Sequence, residues 1–341
     1  METEVKEETL KETPSPARGW VKTGTEILSL GLKKVPALVD PFIPKVGVIA
    51  LAGSSDLGKS YFLLQLSDAV IHGADDFLGF PLNPTHKSVI YLSTEDDEYS
   101  LSPRLHNMAK DKDDITVYDN LRIIFESKHL VSRLDGLLSE KPADLVIIDT
   151  FSDIFDGDMN QANKVRSFIQ KYKEIAIRHK ALIIFNHHCG KKNDYRPPHK
   201  DNLLGSQGFE SSMRMVIELR RDFANPLVRH LCIVKGNYLD ESYKQSSFKL
   251  EFTFEDGFSN TGDRVAFEKL IKSDDKQAEN KINLKQRVLD LKGTGLSYGK
   301  IAAKLTEEGL KVSKTTVGKI CTEYRPSVPL PMDKETDGQA A

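Results

Sequence analysis

Between roughly residues 25 and 255 the chain alternates short β-branched runs with longer amphipathic stretches. The runs fall at 46–51, 88–93, 121–125, 144–150, 181–187, 213–220, 228–234 and 248–254, and helical spacing of apolar positions lies between them at 60–72, 129–138 and 161–179. The central runs, VIIDT and LIIFN, are apolar without alternation, which is the pattern of strands covered by helices on both faces. Strand–helix–strand order at this spacing predicts an α/β domain with a mainly parallel sheet, and the consecutive strands that follow predict an antiparallel edge.

The pattern changes twice more. Residues 1–24 open with five Glu and two Lys in the first fifteen and read as a disordered acidic tail. After a first domain at 25–260, the polar stretch 261–282 reads as a linker, and 283–325 predicts three short helices at 285–291, 297–305 and 313–324. Val288, Leu291, Ile301, Ala302, Leu305, Val317 and Ile320 are spaced there to pack inward. The Pro-rich end, 326–341, has the composition of a second disordered tail.

Composition narrows the class. Lys and Arg number 48 against 50 Asp and Glu, a formal charge of −2 that excludes a uniformly basic nucleic-acid coat protein. It leaves room for local segregation: residues 281–325 hold ten Lys/Arg and four Asp/Glu, a local +6. Three widely separated cysteines, Cys189, Cys232 and Cys321, fit neither a disulfide framework nor a paired-cysteine metal site, and point to a reducing, cytoplasmic setting. No signal peptide and no apolar run of membrane-spanning length is present, so no membrane partner is expected.

The first chemical signature is Gly53-Ser54-Ser55-Asp56-Leu57-Gly58-Lys59-Ser60, a match to GxxxxGK[ST] entered by VGVIALA and left by SYFLLQLSDAVI. Glycines at both ends let the backbone wrap with its N–H groups inward, and the following helix N-terminus adds partial positive charge. Lys59 reaches the terminal phosphates of ATP, and the Ser60 hydroxyl is placed for Mg2+. Two strand ends then supply carboxylates: Asp149 after LVII, suited to supporting the metal ion with Ser60, and the group Glu95-Asp96-Asp97 after VIYLST. Glu95 is the candidate for polarising the attacking water, with Asp96 and Asp97 as competitors or as N-caps of the helix after them. Asn186-His187-His188 ends the next strand and offers groups for the γ-phosphate. Between it and residue 203 lies a Pro-containing loop with Lys191, Lys192, Tyr195, Arg196 and Lys200, a composition that suits contact with a nucleic-acid strand.

In order and spacing, IALAGSSDLGKS, VIYLSTED, LVIIDT, IIFNHHCGKK, LLGSQGFESSMRMVIELRR and IVKGNYL together resemble one branch of the RecA-like P-loop ATPases, the RepA-like and DnaB-like ring helicases, over about two-thirds of the chain. The resemblance implies a RecA-like core, hexamer formation, Glu95 as catalytic base, Asp149 as the metal-supporting acid and His187 or His188 as γ-phosphate sensor, with His187 the leading choice. It also implies an active site shared between subunits, with basic fingers donated by a neighbour from the positions of Arg214 and Lys235. Many DnaB-type members carry Lys-x-Arg at the later position, whereas this chain has Lys235-Gly-Asn237, so the division between the two fingers stays open. In that family the loop carrying Lys191, Lys192, Arg196 and Lys200 meets DNA in the ring channel.

The C-terminal stretch LSYGKIAAKLTEEGLKVSKTTVGKI resembles a helix-turn-helix, with Gly309 closing its second helix, Ser313 as N-cap, and Lys314, Thr315, Thr316 and Lys319 on the exposed start of a recognition helix. The expectation is therefore an ATP-hydrolysing DNA motor of a plasmid, virus or mobile element, with DNA, further copies of itself and a replication initiator protein as partners. The alternative is an ATP-dependent regulator or loader that assembles on DNA without unwinding it. A small-molecule kinase would share the phosphate loop but would not need IVKGNYL or a basic helical tail.

Overall fold

The computed structural model describes residues 21–323 apart from 111, 191–192, 204–206, 273–274, 309 and 311. Both expected disordered tails lie outside these residues except for 21–24, as do Lys191, Lys192 and Gly309. The chain divides into two compact units, up to Ile271 and from Lys272 onward.

The first unit opens with α1 (Gly24–Leu28) and the short pair β1 (Ala37–Val39) and β2 (Ile43–Pro44), then β3 (Gly47–Gly53), α2 (Lys59–His72), the small hairpin β4 (Asp76–Phe77) and β5 (Phe80–Pro81), β6 (Val89–Ser93) and α3 (Glu98–Ala109). It continues through β7 (Leu121–Ile124), α4 (Leu130–Glu140), β8 (Leu145–Asp149), α5 (Phe151–Ile154), α6 (Ala162–His179), β9 (Leu182–His188) and α7 (Gln207–Ser212). Four consecutive strands close it: β10 (Met215–Arg221), β11 (Val228–Gly236), β12 (Ser246–Thr253) and β13 (Gly257–Ala266). Nine strands make the main sheet, in the order β13-β12-β11-β10-β3-β9-β8-β6-β7. The pairings from β10 through β3 to β7 are parallel and those from β10 outward are antiparallel, so the antiparallel edge begins one strand later than the order of runs predicts.

Strand alternation splits the apolar side chains between two cores. Ile49, Leu51, Tyr91, Leu145, Ile147, Leu182 and Ile184 face α2 on one side, while Val48, Ala50, Ile90, Val146, Ile148, Ile183 and Phe185 face α4 and α6 on the other. The helices match: α4 buries Leu130, Leu134 and Leu138 at intervals of four, and α6 buries Val165, Ile169, Tyr172 and Ala176. Each such Leu or Ile contributes about 1.5–3 kcal/mol of burial. This is why the sheet's parallel half was readable as uninterrupted apolar runs.

The expected linker 261–282 is largely occupied by structure. β13 runs to Ala266, and Phe267 and Leu270 are buried against Cys232. The second unit holds α8 (Asp275–Gly293), α9 (Tyr298–Glu307) and α10 (Lys314–Glu323) around Val288, Leu291, Ile301, Leu305 and Val317. Arg287 of α8 makes a forked ion pair with Glu308 at the end of α9, and Ser313 Oγ accepts the Thr316 N–H at the start of α10 (3.1 Å). Among the described residues no helix is long and apolar enough to cross a membrane.

Candidate active site

The loop between β3 and α2 is shaped by two glycines. A Cβ on Gly53 would lie 2.6 Å from the Leu219 carbonyl of the neighbouring β10, and Gly58 adopts φ +83° as the residue before α2. Asp56 is also left-handed, at φ 62°, so the backbone curls and aims N–H groups at a common centre. Buried Leu57 pins the loop into the core, and its carbonyl accepts from Arg229 of β11 (3.3 Å). Lys59 is only 6% exposed, and its ammonium donates to the Ser54 carbonyl at 2.8 Å. Burial lowers the Lys59 pKa, against the pull of Cys189, Asp149, Glu95 and Asp56.

The cleft over this loop is walled by residues 55–61, Glu95, Asp96, Arg104, Asn186, His188 and Phe254. Three neighbouring acids have different surroundings. Asp96 is clasped by Arg104 of α3 (2.6 Å), Asp97 caps α3 by accepting the Ser100 N–H (2.8 Å), and Glu95 stands at the cleft with His188 Nε2 3.6 Å away. Asp149 is 5% exposed; Tyr91 donates its hydroxyl to it at 2.6 Å, and the Asn186 amide donates to its other oxygen. Burial first, and the Asp149 charge second, raise the Tyr91 pKa well above its ordinary value, so Tyr91 serves Asp149 as a donor.

The two histidines separate by strand parity. His188 shares a face with Asn186 and Ile184 and enters the cleft. His187 shares the other face with Ile183 and Phe185, where it is buried, stacked on Phe209 (4.3 Å) and edge-on to Phe151 (5.7 Å). The expectation that His187 leads at the phosphate site is therefore corrected in favour of His188.

Arg214 and Lys235 sit at the opposite end of the sheet. Arg214 precedes β10, its side chain lies against Gly47 at the start of β3, and it donates to the Val46 carbonyl (3.4 Å). Lys235 is paired in register with Val216 and bonded to both the carbonyl (2.8 Å) and the carboxylate (2.9 Å) of Glu210. Within one copy neither cation joins the cleft. Arg196 and Lys200 are exposed on the loop after β9, and Lys314, Thr315, Thr316 and Lys319 are exposed on α10 of the second unit.

Arg104, Tyr61 and Phe254 were not anticipated at the cleft. Arg104 lies two helical turns past the Asp97 cap and returns over the acids; an Arg so placed after an acidic strand end is the available signal. Phe254, 76% exposed in the turn between β12 and β13, carries no signal in a sequence that reads simply as turn.

A phosphate loop at the end of a parallel strand, a carboxylate at each of two neighbouring strand ends and a polar β9 terminus define a RecA-like P-loop ATPase. The chain belongs to the AAA_25 family, whose AAA domain matches residues 20–194. It is similar to the DNA repair protein RadA of Aquifex aeolicus (strain VF5), 26% identical over 173 residues; the match covers 48% of this chain and about a third (34%) of that relative's length. In three dimensions its fold is similar to the solved ATPase domain of a helicase, with a TM-score of 0.52 at 14% identity, over 69% of this chain and 95% of that one.

Proposed function

We propose that this ATPase is a ring-forming DNA motor, a replicative helicase of a mobile element acting in the cytoplasm, whose active sites form between adjacent copies. The observation that carries this is the separation of Arg214 and Lys235 from the phosphate loop by the length of β3. Phosphoryl transfer needs cationic charge at the γ-phosphate, and a head-to-tail ring brings one copy's finger end to the next copy's loop. The arm before β1 supports association: α1 buries no residue, while Ile27, Leu28, Leu30 and Leu32 are all more than half exposed.

The loop backbone and Lys59 fit a nucleoside triphosphate, and Ser60 with Asp149 fits a divalent cation. When bound, Mg2+ supplies neutralisation of phosphate charge. Glu95 accepts a proton from the attacking water, oriented by His188. Asn186 and Tyr91 hold Asp149 in place, and His188 at the end of β9 relays the state of the nucleotide to the loop behind it. Arg196 and Lys200, with Lys191 and Lys192, contact single-stranded DNA. A hexamer and a replication initiator protein as partner belong to the same reading.

A second reading rests on α10. Its exposed Lys314, Thr315, Thr316 and Lys319 suit the phosphates and base edges of duplex DNA, as in an ATP-switched regulator or loader. One assay separates the two. With ATP, the motor displaces the annealed strand of a forked substrate and shows rings in negative stain on single-stranded DNA; ATP turnover and duplex binding without strand displacement would establish the regulator.

A further inference from the structure

Glu218 and Arg220 are buried charges that the ATPase chemistry above does not use. They lie two residues apart on β10, 1% and 5% exposed, on the face opposite α2, and Glu218 is in register with Ala52 of the phosphate-loop strand. Arg220 Nε donates to Glu218 at 2.7 Å. The remaining guanidinium donors go to main-chain carbonyls: Nη1 to Arg196 (2.6 Å) and Leu270 (3.0 Å), and Nη2 to Asn193 (2.7 Å). The second Glu218 oxygen accepts the His199 N–H and the Asn202 amide, both at 3.3 Å. Asn202 in turn donates to the Pro197 carbonyl (2.9 Å), and Asn193 donates to the Asn202 carbonyl (2.6 Å).

All but one of these partners belong to the loop between β9 and α7. Its neck is closed by the bridge between Cys189 and Leu203, and the Cys189 N–H donates to the Gly53 carbonyl of the phosphate loop (3.1 Å). The backbone is thus gripped from inside while Tyr195, Arg196 and Lys200 point to solvent. A buried ion pair is a poor device for stability alone, because apolar residues of similar volume usually serve as well. What apolar residues cannot do is recognise carbonyls at fixed positions, which a guanidinium fork does.

We infer that the Glu218–Arg220 pair is a positioning clamp: it holds the loop after β9 in the register that presents Arg196 and Lys200 to a nucleic-acid phosphate backbone, and ties that loop to the strand beside the phosphate loop. The inference rests on the DNA reading of this loop. Loss of the clamp leaves the Asn193 and Arg196 carbonyls without partners, and they recover hydrogen bonds by swinging the loop out to water. DNA response then suffers while nucleotide binding does not.

The test uses the full chain and measures ATP turnover as a function of single-stranded oligonucleotide concentration, together with thermal unfolding. Arg220→Lys keeps the charge and loses the fork; the double variant Glu218→Leu/Arg220→Met replaces the pair by apolar volume. Both are expected to fold, to keep KM for ATP without DNA within twofold, and to raise the oligonucleotide concentration for half-maximal stimulation at least tenfold. A double variant that does not fold would make the pair structural and overturn the inference, as would a folded variant with wild-type DNA dependence. Arg196→Ala/Lys200→Ala tests the underlying reading. If it keeps the wild-type DNA response, that reading falls and the clamp with it; if it loses the response while the pair variants keep it, the clamp alone is refuted.

Discussion

Arg214 offers a quantitative test of whether the ATPase site is shared. Its main chain is bonded to Val48 near the start of β3, and the phosphate loop begins after Gly53. Five residue steps at about 3.3 Å place some 16 Å of strand between them, beyond the reach of one side chain. Arg214→Ala keeps the phosphate loop and loses a finger; Lys59→Ala keeps the finger and loses the lysine at the γ-phosphate. Each variant alone should lose turnover by about 10³–10⁵-fold, the worth of a trans-acting cation. In rings of mixed subunits, a working junction needs a phosphate loop from the first kind and a finger from the second. At equal proportions that happens at one-half times one-half, about a quarter of the junctions, in a heterologous ring. At fraction x of one variant the recovered rate follows x(1−x). The assay is steady-state ATP turnover after subunit exchange, scanned over mixing ratio, with Lys235→Ala run in parallel because the two fingers divide the role. Mixtures inactive at every ratio, under conditions where wild-type subunits exchange into the rings, would refute the shared site.

Glu95→Gln is expected to bind a fluorescent ATP analogue as the wild type does while turnover falls about 10²–10⁴-fold; full turnover would remove Glu95 as the base. Tyr91→Phe keeps the ring and deletes one hydrogen bond to the buried Asp149 carboxylate, a loss of about 1.5–3 kcal/mol. It should be read as a lower urea midpoint and a steeper Mg2+ requirement for nucleotide binding, and an unchanged midpoint would argue against the Tyr91–Asp149 bond. Burial holds His230 below its ordinary pKa despite the opposing pull of Asp222. The unfolded chain therefore takes up a proton at higher pH than the folded one, so this stability is complete above about pH 6.5 and declines as pH falls toward 5. His230→Gln should flatten the thermal midpoint over that window, and an unaltered pH slope would show that other groups set it.

The parallel half of the sheet was legible because β8 and β9 are buried on both faces, leaving apolar runs that end in the chemical groups themselves. That legibility had a cost at His187 and His188. Parity says the two point to opposite faces, but when both faces are apolar nothing in β9 tells which one carries α2, and only the packed sheet decides for His188. β13 was missed for the reverse reason. GFSNTGDRVA is an edge strand with an exposed face, held by pairing to β12 rather than by a hydrophobic pattern, so it read as linker. The acids Glu95, Asp96 and Asp97 are indistinguishable in sequence. What separates them is an Arg two turns along α3 and a free N–H at its start, both tertiary or capping facts. Glu218 and Arg220 are the extreme case, an alternating pair on a strand that suggests a solvent face and is buried beneath a loop.

The charges at the cleft explain why a single copy is chemically incomplete. Among the described residues lining it, the permanent cations are Lys59 and Arg104. Lys59 is desolvated and bonded to a loop carbonyl, and Arg104 is neutralised by Asp96. Glu95 and Asp149 add negative charge where phosphate charge must also be stabilised. A lone copy therefore holds the groups to bind a triphosphate and orient a water, but has a deficit of positive charge for transfer. The finger end has the opposite imbalance, with Arg214 turned toward the Val46 carbonyl and Lys235 held by Glu210. Glu210 also lies 3.8 Å from Lys200 of the loop that the Glu218–Arg220 pair grips. The charge the cleft lacks and the loop proposed to meet DNA thus share one carboxylate, which gives a physical route for strand contact to alter the cation offered to the next copy.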